Sequence, residues 1–332
     1  MPPRTPPAPI RGIGGRAMAE RPAHPPAVRL VEVGPRDGLQ NEAAPIRTDV
    51  KVRFVRGLAE AGLRDIEVTS FVHPEAVPQL ADAGPVLEAL DAPAARAAEG
   101  QGGPRYSALV PNAKGLARAI ASGVGRIAVF TAASDDFTQR NIRMSVEQSL
   151  EVFRPVVADA LAAGLTVRGY VSTAFVCPYA GEVPEDRVRT VSAALAGMGC
   201  DEVAVSDTIG AAAPRDVERV LAAVTRDVPV ERLALHLHDT YGTALANVQA
   251  GWDAGVRAFD ASAGGLGGCP YAPGAAGNLA TEDLVYFLER QGVATGVDLD
   301  ALFRASSLVA EALGRPLPGK NWQRLAATRA TG

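Results

Sequence analysis

Two of the four histidines in this 332-residue chain, His236 and His238, stand two positions apart in the stretch LHLHDTYG. Alternate residues of a β-strand point to the same face, so an extended conformation puts both imidazoles on one side and Leu235 and Leu237 on the other. Two imidazoles that converge in a protein interior are suited to bind a metal ion. A pair of core histidines satisfied by hydrogen bonds is the alternative interpretation.

A metal ion needs further ligands, and the chain offers two oxygen donors. Asp37 and Asn278 lie in the loops after the first and the last of the predicted strands, which become neighbours if the sheet closes on itself. With the histidines they form a set of two nitrogens and two oxygens that leaves positions open for water or substrate. Such a mixture is typical of octahedral Mg²⁺ or Mn²⁺ rather than of a closed zinc site, and it does not choose between the two ions.

The elements that must position these residues alternate regularly. Eight short β-branched and apolar runs are each followed by a longer segment of helical periodicity, and a glycine often closes that segment. Eight such βα units in roughly 270 residues predict an α/β fold, a (β/α)8 TIM barrel, with an open doubly wound sheet as the alternative. The predicted strands cover residues 28–34, 65–71, 105–110, 126–132, 166–172, 201–207, 233–239 and 258–264.

The predicted organisation is one catalytic domain, residues 28–313, flanked by two tails. Residues 1–27 are rich in Pro, Arg, Ala and Gly and are expected to be disordered, with Met18 as an alternative start. The periodicity of residues 298–313 predicts an extra C-terminal helix outside the barrel. Residues 314–332 are expected to form a C-terminal tail.

Composition narrows the expected partners and location. The 33 Lys and Arg residues against 37 Asp and Glu give a formal charge of −4, which offers no electrostatic reason to bind nucleic acid or an anionic membrane. No apolar run approaches the ~20 residues of a membrane helix. The three cysteines are far apart and form no CxxC pair, which is typical of a reducing, cytoplasmic environment. Small-molecule chemistry is therefore expected.

Polar residues concentrate where a TIM barrel has its active site, at the C-terminal ends of the strands. Glu67 and Ser70 end the second predicted strand, Asp207 ends the sixth, and the two histidines end the seventh. GPRDGLQNE follows the first strand and GGLGGCPYAPGAAGN follows the eighth. The turns at the opposite end of the predicted barrel, such as AGLRD, contain no comparable group of polar residues.

These motifs resemble those of the 3-hydroxy-3-methylglutaryl-CoA lyases of the DRE-TIM metallolyase superfamily. The similarity extends from Val28 to about Leu313. The ordered set of strand-end motifs is specific to the superfamily, and the cysteine-bearing glycine loop is specific to the lyase branch. The segments that carry it are VEVGPRDGLQNE, IEVTSFVHPEAVPQLADA, VRGYVS, CPYAGEV, SDTIG, HLHDTYGTALANV and GGLGGCPYAPGAAGNLATEDLVYFLE.

The resemblance implies retro-Claisen cleavage of 3-hydroxy-3-methylglutaryl-CoA, or a close 3-hydroxy-3-alkylglutaryl-CoA, to acetyl-CoA and acetoacetate or the homologous keto acid. It implies a divalent metal at the four residues named above. Arg36 suits the thioester oxygen as the enolate forms, and Cys269 would protonate the enolate carbon. His236 would combine ligation with proton transfer.

The resemblance also suggests supporting residues and an assembly. Asp207 would relay substrate or base contacts, and Glu67 would orient Arg36, unless the two form an ordinary buried ion pair. Substrate contacts are expected from Gln40, Ser70 and Glu32. The partner implied is an acyl-CoA thioester, and the assembly implied is a homodimer.

Two residues after the second predicted strand depart from the family pattern. His73 and Glu75 stand in SFVHPEAVPQ, where the family typically carries SFVSPK, so a hydroxyl becomes an imidazole and a cation becomes an acid. These changes weaken the electrostatic attraction to an anionic CoA tail. A substrate with a longer or differently branched acyl group is therefore an alternative. A Claisen-condensing acyltransferase or a hydroxy-oxo-acid aldolase of the same superfamily is the enzymatic alternative. A catalytically inactive barrel scaffold is the alternative of another class.

Overall fold

The computed structural model describes residues 28–268 and 277–330, and its central feature is a closed barrel of eight parallel strands. The first and last strands of the barrel pair with each other and close the ring. This closure confirms the TIM-barrel prediction and excludes the open doubly wound sheet. The barrel strands are β1 (Arg29–Glu32), β2 (Asp65–Ser70), β3 (Arg105–Leu109), β4 (Arg126–Ala132), β5 (Thr166–Ser172), β8 (Glu202–Asp207), β9 (Leu233–Leu237) and β10 (Ala258–Ala261), while β6 (Val176–Cys177) and β7 (Gly181–Glu182) form a small antiparallel pair.

Helices cover the outside of the barrel, and local chemistry sets their ends. The helix that starts at Val146 begins with a capping box, in which Ser145 and Gln148 each accept a hydrogen bond from the other's backbone N–H. None of the helices in the described ranges is long and apolar enough to cross a membrane. The helices are α1 (Thr48–Glu60), α2 (Ala83–Ala89), α3 (Ala92–Ala97), α4 (Ala113–Ala121), α5 (Asp135–Ile142), α6 (Val146–Ala162), α7 (Glu185–Met198), α8 (Pro214–Val224), α9 (Ala244–Asp253), α10 (Thr281–Arg290), α11 (Leu299–Leu313) and α12 (Lys320–Ala330).

The C-terminal part of the chain packs on the barrel as two helices. The predicted extra helix is α11, whose first turn is capped by the side chain of Asp298 and which packs against α1. Within residues 314–332 the structure has a further helix, α12, that the sequence interpretation did not include. The carboxylate of Asp283 accepts two backbone N–H groups at its start and so anchors it. The N-terminal tail, residues 1–27, lies outside the described residues.

The barrel interior is filled in layers by side chains that alternate along the strands. An apolar layer in the middle consists mainly of small side chains. Towards the N-terminal ends of the strands the interior is charged, with Arg126 and Arg168 both against Glu202. A larger apolar core lies between the strands and the surrounding helices. The middle layer contains Leu109, Ala128, Tyr170, Ala204, Ala234 and Ala258.

The chain leaves the first strand earlier than predicted, because it turns directly after Glu32. Residues Gly34–Gly38 form a π-helical turn in which three successive backbone N–H groups donate to the carbonyl of Val33, at 3.1, 2.7 and 3.2 Å. The first two of these N–H groups belong to Arg36 and Asp37. Single π-helical turns are frequent at functional sites, and this one brings two charged residues to the C-terminal end of the barrel.

Candidate active site and metal centre

Three potential metal ligands converge at the C-terminal end of the barrel. The Nε2 atoms of His236 and His238 lie 3.3 Å apart, and Oδ2 of Asp37 lies 4.0 and 3.9 Å from them. Among the described residues, these three form the group of histidine, cysteine and acidic side chains whose ligand atoms are close enough to hold a metal ion. The spacing of the histidines therefore brings the two imidazoles together, as the sequence predicts.

Asn278, the fourth predicted ligand, lies beside this group and presents its amide nitrogen. Its Nδ2 donates to Oδ2 of Asp37 at 2.8 Å and to the carbonyl of Leu266 at 3.2 Å. An isolated antiparallel bridge between Asn278 and His238 holds the segment after the glycine loop against the end of β9. The amide oxygen, which is the atom able to ligate a cation, becomes available after a half-turn of the same side chain.

The hydrogen bonds of His236 leave a lone pair directed at the centre of the group. Its Nδ1 lies 3.1 Å from Oδ2 of Asp260. An ionised carboxylate can only accept, so Nδ1 carries the proton and Nε2 is free to ligate. A carboxylate behind the ring is the usual arrangement for a histidine that binds a metal.

The charges of the other two ligands also suit a cation. Burial, reinforced by the neighbouring His236, lowers the pKa of His238 to about 4, so this imidazole is neutral near pH 7. Burial opposes the charge on Asp37, but Arg36 and both imidazoles hold the pKa of this carboxyl well below its usual range. Two imidazole nitrogens and one carboxylate form a donor set that fits a divalent ion of borderline or hard character.

Arg36 is buried between two carboxylates at the edge of this group. Its Nε donates to Glu67 and its Nη1 donates to Asp37. Burial works against its charge, but the two carboxylates raise the pKa of Arg36 above its ordinary value. The hydroxyl of Tyr170 donates to the other oxygen of Glu67 at 3.1 Å. The contact between Arg36 and Glu67 expected from strand order is therefore present.

A cavity of about 350 Å³ opens above these groups, and its walls differ in polarity. The metal group and Arg36 form a polar floor, which Gln40 extends. The Oε1 atom of Gln40 is buried and has no hydrogen-bond partner among the described residues, so it is an acceptor available to a ligand. The apolar wall is formed by Val72, Ala76, Val77, Leu109, Pro111, Phe130 and Ile142. The cavity suits a ligand with a polar head and an apolar arm.

Three of the predicted site residues bind the backbone behind the cavity instead of lining it. Glu32 accepts two backbone N–H groups and one hydroxyl, and Asp207 accepts two backbone N–H groups, each at 3.0 Å. Ser70 donates to a backbone carbonyl at 3.3 Å. Burial raises the pKa of Asp207 to about 6 and that of Glu32 to about 8. Cys269 lies outside the described residues.

The sequence interpretation missed a chain of interior groups that joins the two halves of the site. Asp260, behind His236, accepts from Arg168 at 2.6 Å. Arg168 donates to the hydroxyl of Tyr170 at 3.1 Å, and that hydroxyl donates to the carboxylate beside Arg36. A signal was available, because Arg168 and Tyr170 alternate with apolar residues in TVRGYVS and so occupy the face opposite the helices.

Comparisons with known proteins extend over the whole barrel. A family model described as HMGL-like matches residues 27–309. The hydroxymethylglutaryl-CoA lyase YngG of Bacillus subtilis is 46% identical over 300 residues, which are 90% of this chain and 98% of that protein. A crystal structure of hydroxymethylglutaryl-CoA lyase from Pseudomonas aeruginosa is 47% identical with a TM-score of 0.86, covering 91% of this chain and 98% of the other. An HMG-CoA lyase from Acinetobacter baumannii, solved with coenzyme A and 3-methylmalate, is 36% identical with a TM-score of 0.81, covering 88% and 93%.

Proposed function

Because the chain belongs to the HMGL-like family, we propose that it is a metal-dependent carbon–carbon lyase that cleaves 3-hydroxy-3-methylglutaryl-CoA to acetyl-CoA and acetoacetate. The observation that carries the proposal is the meeting of Arg36, Asp37, His236 and His238 on the floor of one cavity. Cleavage beside a tertiary alcohol requires a group that removes its proton, a cation that holds its oxygens and a donor for the enolate. The cavity offers a candidate for each of these requirements.

The proposed reaction moves one proton and one electron pair. The C3 hydroxyl loses its proton, the bond between C2 and C3 breaks, and its electron pair passes to the thioester fragment as an enolate. C3 becomes the keto carbon of acetoacetate, and protonation of the enolate carbon gives acetyl-CoA. No oxidant or reductant is needed. A close 3-hydroxy-3-alkylglutaryl-CoA would give the homologous keto acid in the same way.

Asp37, His236, His238 and Asn278 are the residues proposed to hold Mg²⁺ or Mn²⁺. When bound, the ion supplies Lewis-acid chemistry, which favours loss of a hydroxyl proton and neutralises developing charge. The facing imidazole nitrogens support this assignment, since Nε2 of His236 lies 3.3 Å from Nε2 of His238 and presents a lone pair to the group when His236 is protonated on Nδ1.

Arg36 is proposed to donate to the thioester oxygen as negative charge develops there. A buried cation that is fixed before the substrate arrives stabilises such charge without the cost of reorganisation. Glu67 and Asp37 fix the guanidinium from two directions. Cys269 is proposed to protonate the enolate carbon. Proton transfer at the C3 hydroxyl is proposed for His236, and it would require Nε2 to be free of the ion, because Nδ1 already carries a proton.

The remaining predicted residues are proposed to support the substrate from the cavity wall and from behind it. Gln40 offers its unpaired oxygen to a donor on the substrate. Glu32, Asp207 and Ser70 act through the backbone groups they bind, which shape the loops around the cavity. Any direct contact of these three with the substrate would require those backbone bonds to open.

The substrate's thioester arm is proposed to leave along the apolar wall. His73 and Glu75 are exposed beside this wall, in the loop that also contributes Val72 and Ala76. The chain is further proposed to act as a homodimer in the cytoplasm. Sedimentation equilibrium would give the mass of the assembly, and a monomer at micromolar concentration would contradict the dimer.

The test is to incubate protein stripped with EDTA with 3-hydroxy-3-methylglutaryl-CoA, with and without Mg²⁺ or Mn²⁺. Metal-dependent formation of acetyl-CoA and acetoacetate in equal amounts, followed by mass spectrometry, is the expected result. Product formed only when acetyl-CoA and a keto acid are supplied would indicate the condensing alternative. A folded protein that binds metal and turns over neither this substrate nor its 3-alkyl homologues would favour the inactive scaffold.

A further inference from the structure

Asp260 is a buried carboxylate to which the proposed reaction gives no role. It lies on β10 directly opposite His236 in the parallel register, and it is 1% exposed. Its two oxygens have different partners, since Oδ2 faces Nδ1 of His236 at 3.1 Å and Oδ1 accepts from Arg168 at 2.6 Å. A carboxylate in this place controls which nitrogen of the imidazole carries the proton.

The protonated nitrogen decides whether His236 can ligate a metal ion. With the proton on Nδ1, Nε2 presents a lone pair to the centre of the metal group. With the proton on Nε2, the same atom presents a hydrogen to Nε2 of His238, 3.3 Å away, and no ligand remains on that ring. The two forms of a free imidazole differ little in energy, so the contact behind the ring selects between them.

His238 has no such carboxylate. Its Nδ1 is buried and has no hydrogen-bond partner among the described residues. The two imidazoles of the group are therefore unequal, because only His236 is oriented by a charged partner. Loss of that partner should affect the metal group more than the loss of any comparable ion pair elsewhere in the barrel.

Arg168 holds Asp260 in the position that this role requires. Its guanidinium donates to Oδ1 of Asp260 at 2.6 Å, contacts Glu202 at 2.8 Å on the other side, and donates to Tyr170 at 3.1 Å. These three partners lie on β10, on β8 and on its own strand β5, and together they orient the guanidinium. Asp260 is thereby kept ionised and directed at the ring.

We propose that Asp260 is a positioning residue for the metal centre, which acts by fixing the Nδ1-protonated form of His236, and that Arg168 in turn fixes Asp260. The inference rests on the proposed metal-dependent function. It adds to that function a determinant of metal affinity that contacts one ligand, His236, and neither the ion nor the substrate. The carboxylate of Asp260 that faces the His236 ring, and not the burial of that ring, sets the affinity of the site for the metal ion.

The test is the change Asp260→Asn, measured by the affinity of the folded protein for Mn²⁺ in calorimetric or paramagnetic titrations. Asparagine has one acceptor instead of two, and Arg168 claims it. The amide nitrogen then faces His236 and favours the proton on Nε2, as in an Asp→Asn change behind a catalytic histidine. We expect the Kd for Mn²⁺ to rise about 10- to 100-fold.

The matched control is Asp65→Asn, the same chemical change in an interior ion pair at the other end of the barrel. Asp65 accepts from Arg105 at 2.5 Å and contacts neither histidine. We expect this variant to lose thermal stability while its Kd for Mn²⁺ stays within about twofold of the parent value. A Kd that changes equally in both variants, or in neither, overturns the proposal.

A measurement on the unaltered protein keeps the proposal testable if Asp260→Asn does not fold. In the metal-free protein at neutral pH, two-dimensional ¹H–¹⁵N spectra of the imidazoles should show His236 protonated on Nδ1. Protonation on Nε2 overturns the proposal. Failure of the unaltered protein to bind Mn²⁺ overturns the proposed function instead, and the spectrum still decides which nitrogen of the His236 ring carries the proton.

Discussion

Both ends of the barrel interior contain buried charges, and the two ends differ in how these charges are satisfied. At the N-terminal ends of the strands lies a lower layer, and at the C-terminal ends lies an upper layer. In the lower layer four arginines surround two acids, so that Arg126 contacts Glu202 at 3.6 Å and Arg168 contacts it at 2.8 Å. The lower layer consists of Arg29, Asp65, Arg105, Arg126, Arg168 and Glu202, and the upper layer of Arg36, Asp37, Glu67, His236 and His238.

The upper layer has more acceptors than donors. Arg36 occupies one oxygen of Asp37 and one of Glu67. The other oxygen of Asp37 accepts from Asn278 and also faces Nε2 of His236 and of His238. Buried charge alone therefore does not mark the site, because the lower layer also contains buried charges, those of Arg126, Arg168 and Glu202. The convergence of buried acceptors from two histidines and one acid marks it, since such a convergence favours a cation.

The largest expected effect is on kcat, and it distinguishes the upper layer from the lower layer. Arg36→Gln should lower kcat about 10²- to 10³-fold, because it removes a fixed donor to the developing enolate oxygen. The matched change in the lower layer, Arg126→Gln, should leave kcat within about threefold. It should instead lower the free energy of unfolding by about 1 kcal/mol, because it removes one charged contact of the buried Glu202, which keeps its contact with Arg168. Steady-state kinetics and urea unfolding of both variants check the comparison, and a loss of activity in Arg126→Gln would remove the distinction.

The second effect concerns the metal ion as a source of stability. Mn²⁺ at about 100 times its Kd should stabilise the folded chain by about 2.7 kcal/mol, because the ion binds only the folded arrangement of its ligands. His238→Ala should abolish this stabilisation, whereas Arg126→Gln should keep it. Thermal unfolding with and without Mn²⁺ measures the difference. Equal stabilisation of His238→Ala would place the ion elsewhere.

A third, smaller effect is on the pH dependence of the free energy of unfolding, and it involves an acid near the upper layer. Glu282 is buried, accepts from the backbone of Gly264 at 2.6 Å and from Ser306 at 2.9 Å, and has no ion-pair partner among the described residues. Burial raises the pKa of Glu282 to about 7. Because this pKa exceeds that of the unfolded chain, the protonated form stabilises the fold, and this contribution is lost as the pH rises through 7.

The change Glu282→Gln keeps the neutral form at every pH. Between pH 6 and pH 8 the parent protein should lose about 1 kcal/mol of unfolding free energy relative to the variant. Urea unfolding of both proteins at the two pH values measures this difference. A difference that does not change with pH would show that Glu282 is charged throughout the range.

The smallest effect concerns the rim of the cavity. Glu75 is exposed in the loop after β2, and Glu75→Lys should lower the KM for the CoA thioester about two- to threefold at low salt with kcat unchanged. Glu218→Lys, an equal change of charge on the outer surface of α8, is the control. A decrease in KM that persists at about 0.5 M salt, where charges are screened, would contradict an electrostatic cause.

The barrel and the paired histidines could be predicted because they follow from simple periodicities. Eight alternations of strand and helix allow few arrangements, and two residues of separation along a strand fix a common face for His236 and His238. The proximity of Glu67 to Arg36 follows from the neighbouring positions of the first two strands. These predictions need only the spacing of residue types along the chain.

The contacts of the other predicted site residues could not be predicted, because they depend on backbone groups whose positions the sequence pattern does not reveal. Glu32 and Asp207 resemble site acids, yet their oxygens are occupied by N–H groups of loops whose conformation no periodicity specifies. In the sequence, Asp260 is a charged residue within a mostly apolar strand. Its role becomes visible only from its register opposite His236. The helix α12 was missed because its sequence has little apolar periodicity. The role of Cys269 stays a prediction.

The π-helical turn at Gly34–Gly38 means that the proposed reaction depends on the number of residues in this turn. Adjacent residues of an α-helix diverge by about 100° around its axis, yet Arg36 and Asp37 both reach the floor of the cavity. The wider turn, with three N–H groups on the carbonyl of Val33, permits this. A chain one residue shorter here would contain every catalytic residue type and could not present them together, so a comparison of aligned residues alone would mistake it for a competent enzyme.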